Sequence, residues 1–104
     1  MNNSGIITAD FVPQEGERAR VNGVLHFTTV TALLRSGSEA IAGGHAAIID
    51  LGGVKDSDSS GLALLIEWLS IARAEHKNLR YENIPAQLHQ LARLSDVEEL
   101  LTAG

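Results

Sequence analysis

The sequence contains no cysteine, which excludes disulfide bridges and thiolate metal sites and favours a reducing compartment. It also lacks any run close to the roughly 20 apolar residues that a transmembrane helix requires. The opening stretch, MNNSGIITADFVPQ, has neither the basic flank nor the apolar core of a secretory signal peptide. These absences predict a cytoplasmic protein with no direct membrane insertion.

An excess of acidic over basic side chains restricts the function classes further. The formal net charge is −5, so nucleic-acid phosphates or an anionic membrane surface would repel the protein. The length of 104 residues and the 44% of hydrophobic residues suit one folded domain with an ordinary core. We therefore predict one domain over residues 1–104, with its first few residues disordered, whose partners are other proteins.

The spacing of apolar residues divides the chain into short strands and amphipathic helices. Strands are predicted in residues 6–12, 18–25, 46–51 and 79–84. Helices are predicted after Thr28 or Thr29, in residues 61–75, after Pro85 and after a capping box of Ser95 and Glu98. A Ser-Gly-Ser stretch at 36–38 weakens the first helix, and the apolar run at 46–51 is typical of a strand covered on both faces. The order β-β-α-β-α-β-α-α predicts an α/β fold, a mixed sheet with helices packed on it.

An acidic stretch, DSDSSGLALLIE at residues 56–67, matches the spacing of an EF-hand calcium loop. The matching residues are Asp56, Asp58, Ser60, Gly61 and Glu67. The context argues against calcium, because a strand pattern precedes the stretch where an EF-hand requires a helix. The second half of the stretch is wholly apolar, so a turn, a helix cap within residues 58–61 and the start of a helix explain it better. We predict no metal site.

Enzymatic chemistry finds little support in the remaining motifs. Asp56 and Asp58 have the D-x-D spacing of one phosphatase class, but that chemistry needs a larger domain and places its pair directly at a strand end, which here is Asp50. The four histidines lack metal-ligand spacing. A glycine-rich phosphate loop and a nucleophile elbow are also missing from the sequence. We predict a protein with no catalytic residues and no cofactor.

The predicted helix at 61–75 carries two apolar stripes on opposite faces. One stripe holds Leu62, Leu65, Ile66 and Leu69, and the other holds Leu64, Trp68 and Ile71. A helix that lies on a sheet buries only one of these stripes against it. The second stripe is either covered by a neighbouring helix or exposed as an interaction surface that contains the chain's one tryptophan. The spacing alone leaves both interpretations open.

Three segments together resemble STAS domains. AAIIDLGGVKDSDSSGLALLIEWL resembles the central STAS motif, which is a strand ending in D-L, a short loop, D-[ST]-[SA]-G-L and a long apolar helix. NGVLHFTT resembles an earlier G-x-L-x-x-x-T segment, and PAQLHQLARLSDVEELL resembles the closing L-x-x-L-x-x-L-x-x-V-x-x-L pattern. The segments keep the order of the family and cover residues 18 to 101. The resemblance implies a mixed sheet of roughly four strands, with helices packed mainly on one face.

Two groups of STAS proteins are relevant to function. Anti-sigma-factor antagonists carry a phosphorylatable residue directly after the motif aspartate, and that position here is Ser59. MlaB-type subunits bind the ATPase subunit of the Mla ABC transporter, which moves phospholipids and maintains outer-membrane lipid asymmetry. The G-E-L-D of antagonists is replaced here by G-V-L-H, and the loss of that carboxylate argues against a kinase substrate. LHFTTVTALL and GLALLIEWLSIAR resemble MlaB-type subunits more closely.

The MlaB resemblance implies a non-catalytic subunit that reaches the cytoplasmic face of the inner membrane through its partner. That partner would be the ATPase subunit, in a complex with its membrane permease. The residues expected to bind it, as one patch at the start of the central helix, are Asp58, Ser59, Ser60, Leu64, Trp68 and Ile71. Under the antagonist alternative, Ser59 is the candidate phosphorylation site. Leu65, on the opposite face of the helix, is expected in the core.

Overall fold

A computed structural model describes residues 8–102, which form one mixed four-stranded sheet and four helices. The strands are β1 (Ala9–Gln14), β2 (Arg18–Leu25), β3 (Ile48–Ser57) and β4 (Arg80–Glu82). The helices are α1 (Val30–Ala42), α2 (Ser59–Ala74), α3 (Ala86–Leu94) and α4 (Glu98–Thr102). The predicted α/β class and element order are confirmed. The disorder predicted for the first few residues lies outside the described residues.

The sheet has the order β1-β2-β3-β4 and combines two kinds of strand pairing. β1 and β2 form an antiparallel hairpin, whose turn uses the left-handed backbone of Gly16 and Glu17. β2, β3 and β4 are parallel neighbours, so α1 and α2 serve as the crossover connections between them. The carboxyl ends of β2 and β3 therefore lie side by side, and each leads into a helix.

The helices cover one face of the sheet, and the other face is polar. Along β3, Ile49 and Leu51 are buried, whereas Ile48 and Asp50 at alternate positions are partly exposed. The expectation that this strand is covered on both faces is therefore wrong. A short apolar run does not distinguish one covered face from two, because a single inward-facing row already requires apolar residues at every second position.

Asp50 is the centre of a hydrogen-bonding network on the open face. Its carboxylate accepts hydrogen bonds from Arg20 Nη1 at 2.8 Å, from Asn83 Nδ2 at 3.0 Å and from the Gly52 N–H at 2.8 Å. These bonds, with that from Asn83 contributing most, hold the pKa of the Asp50 carboxyl below its usual value. The network joins β3 to β2 and to the end of β4.

The hydrophobic core lies between the sheet and the helical layer. Its largest fully buried side chains are Trp68, Leu25, Ile41, Ile49, Leu51, Leu65, Leu88 and Val21. They come from β2, β3, α1, α2 and α3, so the core joins elements that are distant in the sequence. The prediction that Leu65 lies in the core is confirmed.

Several local predictions differ from the structure. β3 continues to Ser57, beyond the predicted residue 51, because its last residues keep pairing with β2. The central helix begins at Ser59, before the predicted residue 61. Glu98 is itself the first residue of α4, so it does not occupy the third helical position that a capping box with Ser95 requires.

Candidate functional site

The turn between β3 and α2 places three polar residues at one end of the domain. Asp58 is the N-cap of α2, and its carboxylate accepts a hydrogen bond from the Ser60 N–H at 2.7 Å. Ser59 is the first residue of the helix and is exposed. A Cβ atom on Gly61 would lie 2.0 Å from the Ser57 hydroxyl, so only glycine allows the helix to begin so close to the strand. The predicted cap is confirmed.

A second turn, between β2 and α1, lies directly beside the first. Leu25 pairs with Ser57 at the ends of the two parallel strands, and the Leu25 carbonyl accepts a hydrogen bond from the Asp58 N–H at 3.0 Å. Next to them, His26 Nε2 lies 3.0 Å from Asp56 Oδ2. The two turns thus form one surface, which we call the two-turn surface and define as residues 26–29 and 56–60.

In the pair formed by His26 and Asp56, the aspartate is the more exposed partner. The Asp56 side chain is 52% exposed, and the hydrogen bond from His26, followed by one from Gln87, holds the pKa of its carboxyl below the usual value. Gln87, at the start of α3, also accepts a hydrogen bond from the Ser57 N–H at 3.1 Å. These contacts keep a carboxylate charge beside Ser59 at neutral pH.

Phe27 is the residue of this surface that sequence reasoning missed. Its side chain is 74% exposed, although the residue is aromatic and its neighbours in the turn are hydrogen-bonded. The segment NGVLHFTT contained the residue, but nothing in its spacing separated an exposed phenylalanine from a buried one. Only the parallel pairing of β2 and β3 brings Phe27 to the same end of the domain as Ser59.

The structure corrects the prediction for the apolar half of the binding patch. Trp68 is fully buried, Leu64 is 4% exposed and Ile71 is half-buried. All three belong to the core or pack against it. The expectation that this stripe is an exposed surface is therefore wrong for Leu64 and Trp68, and the alternative, a neighbouring helix in the same layer, is correct.

Helix α1 and strand β1 cover the tryptophan. Trp68 Nε1 donates a hydrogen bond to the Leu34 carbonyl of α1 at 3.3 Å. Its ring also meets the Phe11 ring edge to face, with centroids 5.8 Å apart. The apolar surface of the indole is therefore buried inside the domain, and its N–H group is hydrogen-bonded there. The indole is not available to a partner.

The acidic stretch has the backbone of a strand, a cap and a helix. Asp56 lies in β3, Asp58 caps α2, and the residues from Ser59 to Glu67 are helical, so their carbonyls bond along the helix and do not converge on an ion. Within residues 8–102, no group of three or more histidine, aspartate or glutamate side chains could hold a metal. The carboxylates of the D-x-D pair are engaged with His26 and with the helix terminus.

Comparison with known proteins assigns the family. The family described as "Mlab, STAS domain" matches residues 12–102, which is most of the chain. The chain belongs to this STAS family. Comparison with curated proteins finds no match.

Two solved structures share the fold of this STAS domain. One is the anti-sigma factor antagonist SpoIIAA in its unphosphorylated form, with a TM-score of 0.66 at 19% identity, covering 86% of this chain and 83% of that one. The other is the Bacillus cell fate determinant SpoIIAA in the phosphorylated form, with a TM-score of 0.63 at 19% identity, covering 85% of each chain. At this level of identity the similarity establishes the fold alone.

Family membership defines the broad class of activity. The domain is of the MlaB type. STAS domains typically act as non-catalytic binding or regulatory proteins, through contacts with other proteins. No helix among residues 8–102 has the length and apolar character needed to cross a bilayer.

Proposed function

We propose that this STAS domain is a non-catalytic subunit of an ABC phospholipid transporter that maintains outer-membrane lipid asymmetry. It binds the ATPase subunit, which it stabilises or regulates, and it reaches the cytoplasmic face of the inner membrane through that subunit and its permease. The observation that carries this proposal is the match of the MlaB-type family over residues 12–102.

The proposed contact is the start of α2 within the two-turn surface. Ser59 is exposed, and its small side chain lets a partner backbone approach the helix end closely. Asp58 and Ser60 are half-buried and joined by the capping hydrogen bond, so they hold Ser59 in a defined position. The proposed contact does not include Leu64 and Trp68, because their side chains are buried in the core.

Co-purification with the partner tests the proposal. A tagged chain, expressed at native level, should recover an ABC ATPase subunit and its permease, both identified by mass spectrometry. Ser59→Glu should reduce that recovery strongly, because it adds charge and bulk at the contact. The domain should remain folded, since an acidic residue in the first turn of a helix is favourable.

Ser70→Glu is the matched control. Ser70 is exposed on the same helix, toward its other end, so the substitution adds the same group away from the two-turn surface. Recovery of the ATPase subunit should be unchanged in this variant. Equal loss in both variants would contradict the assignment of the contact, and recovery of neither transporter subunit by the unmodified chain would contradict the proposed function.

A second candidate function is that of an anti-sigma-factor antagonist switched by phosphorylation of Ser59. The observation that favours it is the exposed Ser59 hydroxyl at the amino end of α2, where the positive end of the helix accommodates a phosphate. Phosphate at Ser59 would stand beside Asp56 and Asp58 and repel an acidic partner surface. Mass spectrometry of protein from its native cells distinguishes the two functions. Stoichiometric, condition-dependent phosphate on Ser59 supports the antagonist, and its absence supports the transporter subunit.

A further inference from the structure

We infer that Phe27 is the aromatic anchor of the two-turn surface, and that it enters an apolar pocket of the ATPase subunit beside a basic group that faces Asp56. This inference rests on the proposed function, because that function names the partner. The anchor is therefore not Trp68 of α2 but a residue in the turn between β2 and α1.

Exposure singles out Phe27 among the aromatic side chains. The sequence has two phenylalanines, one tryptophan and one tyrosine. Trp68 and Tyr81 are buried, and Phe11 is half-buried against the Trp68 ring. Phe27, at 74% exposure, therefore has most of an aromatic surface left to bury against another protein.

Hydrogen bonds hold the backbone of the turn that carries Phe27. The His26 N–H donates to Thr29 Oγ1 at 3.0 Å, and the Thr29 N–H donates to the His26 carbonyl at 2.9 Å. Thr29 Oγ1 in turn donates to the Val24 carbonyl at 2.8 Å. These bonds fix the backbone on both sides of Phe27, so less backbone entropy is lost when a partner binds this turn.

Position, and not exposure alone, distinguishes Phe27 from other exposed apolar residues. Leu94 is 86% exposed, and single apolar residues of this kind are common on protein surfaces. Leu94 is the last residue of α3, whose first turn contacts the two-turn surface through Gln87, so Leu94 lies at the far end of that helix. Phe27, in contrast, adjoins the turn that carries Ser59.

The negative charge of Asp56 indicates that the partner carries a basic group at this contact. The Asp56 carboxylate is oriented by His26, which immediately precedes Phe27 in the chain, and is half-exposed. The Asp58 carboxylate caps the amino end of α2, so the Asp56 carboxylate is the more accessible of the two to a partner. A lysine or arginine at the rim of the partner's pocket would meet this carboxylate as the ring enters.

Titration calorimetry with the purified ATPase subunit tests the inference. The subunit is first recovered with the unmodified chain and identified by mass spectrometry. Phe27→Ala should raise Kd by about tenfold or more, because truncation removes the anchor, while the melting temperature stays unchanged. Asp56→Asn should raise Kd several-fold and make Kd less sensitive to salt.

Leu94→Ala is the matched control and should leave Kd within about twofold of the unmodified chain. If Ser59→Glu weakens binding but Phe27→Ala leaves Kd within that range, the inference is overturned and the proposed function stands. Equal losses from Phe27→Ala and Leu94→Ala would also overturn it. If the unmodified chain binds no ATPase subunit, both the proposed function and the inference fail.

Discussion

The Trp68 ring lies directly against Gly37. A Cβ atom placed on Gly37 would be 2.3 Å from Cε2 and Cζ2 of that ring, far inside van der Waals contact. The glycine that weakens α1 as an isolated helix is therefore the residue that allows α1 to pack on α2. This contact explains why the tryptophan is in the core and why the proposed contact with a partner does not include it.

Trp68→Ala should lower the free energy of unfolding by about 3–5 kcal/mol, the range for a truncated buried aromatic side chain. Urea denaturation measures this change. Ser70→Ala, an exposed substitution on the same helix, is the control and should have little effect. A Trp68→Ala domain that keeps its stability but loses affinity for the partner would show that the tryptophan is an interface residue after all.

Gly37→Ala should destabilise the domain although alanine is the better helix former. Propensity alone favours alanine by about 1 kcal/mol, and the clash with the Trp68 ring opposes it by about 1–3 kcal/mol. We expect a lower melting temperature. Ser36→Ala, at the exposed neighbouring position, should leave the melting temperature equal or slightly higher. A rise for Gly37→Ala would mean that the indole moves easily and that the packing of α1 on α2 is loose.

Tyr81 should make the domain sensitive to alkaline pH. Its hydroxyl donates to the Leu65 carbonyl at 2.6 Å, and burial raises the pKa of Tyr81 well above its usual value. Because the folded state needs the neutral phenol, this contribution to stability is complete below the unfolded-state pKa of about 10 and declines as pH rises above it. Tyrosinate absorbance should therefore appear together with unfolding, since the chain has one tyrosine.

Tyr81→Phe is the matched variant for that experiment. It should cost about 1 kcal/mol at neutral pH, through the lost hydrogen bond, and should flatten the decline in stability above pH 10. Thermal melts of both proteins across alkaline pH measure the difference. Parallel curves would contradict the role of Tyr81, because lysine and arginine side chains would then account for the whole pH dependence.

Asp50 should contribute to stability at neutral pH and lose that contribution in acid. Hydrogen bonds, foremost from Asn83, lower the pKa of its carboxyl in the folded state. The contribution is therefore present above the unfolded-state pKa of about 3.9 and disappears as pH falls through the lower folded-state value. Asp50→Asn should unfold at lower urea than the unmodified chain at pH 7, and the two midpoints should converge in acid.

Asp10→Asn provides the comparison for Asp50. Asp10 is exposed on β1, and its substitution should change the urea midpoint little at either pH. A difference for Asp50→Asn that stays constant from neutral to acidic pH would indicate a packing effect, and would contradict the electrostatic explanation.

Local patterns were sufficient to predict the element order and a helix cap within residues 58–61. Alternation, helical spacing and capping chemistry depend on residues a few positions apart, and the sequence displays them directly. The same local logic predicted a helix cap within residues 58–61, which the structure places at Asp58, and it placed Leu65 in the core. It failed at boundaries such as the end of β3, where pairing with β2 extends the strand beyond its apolar run.

Only the tertiary structure decided which surfaces of α2 are free. Both stripes of that helix are apolar, so the spacing does not say which neighbour covers the second one, and the answer depends on a glycine in α1. The two-turn surface proposed to bind the partner also depends on the tertiary structure. Phe27 joins Ser59 because two parallel strands end side by side, and that pairing is a contact between residues far apart in the chain that no local pattern encodes.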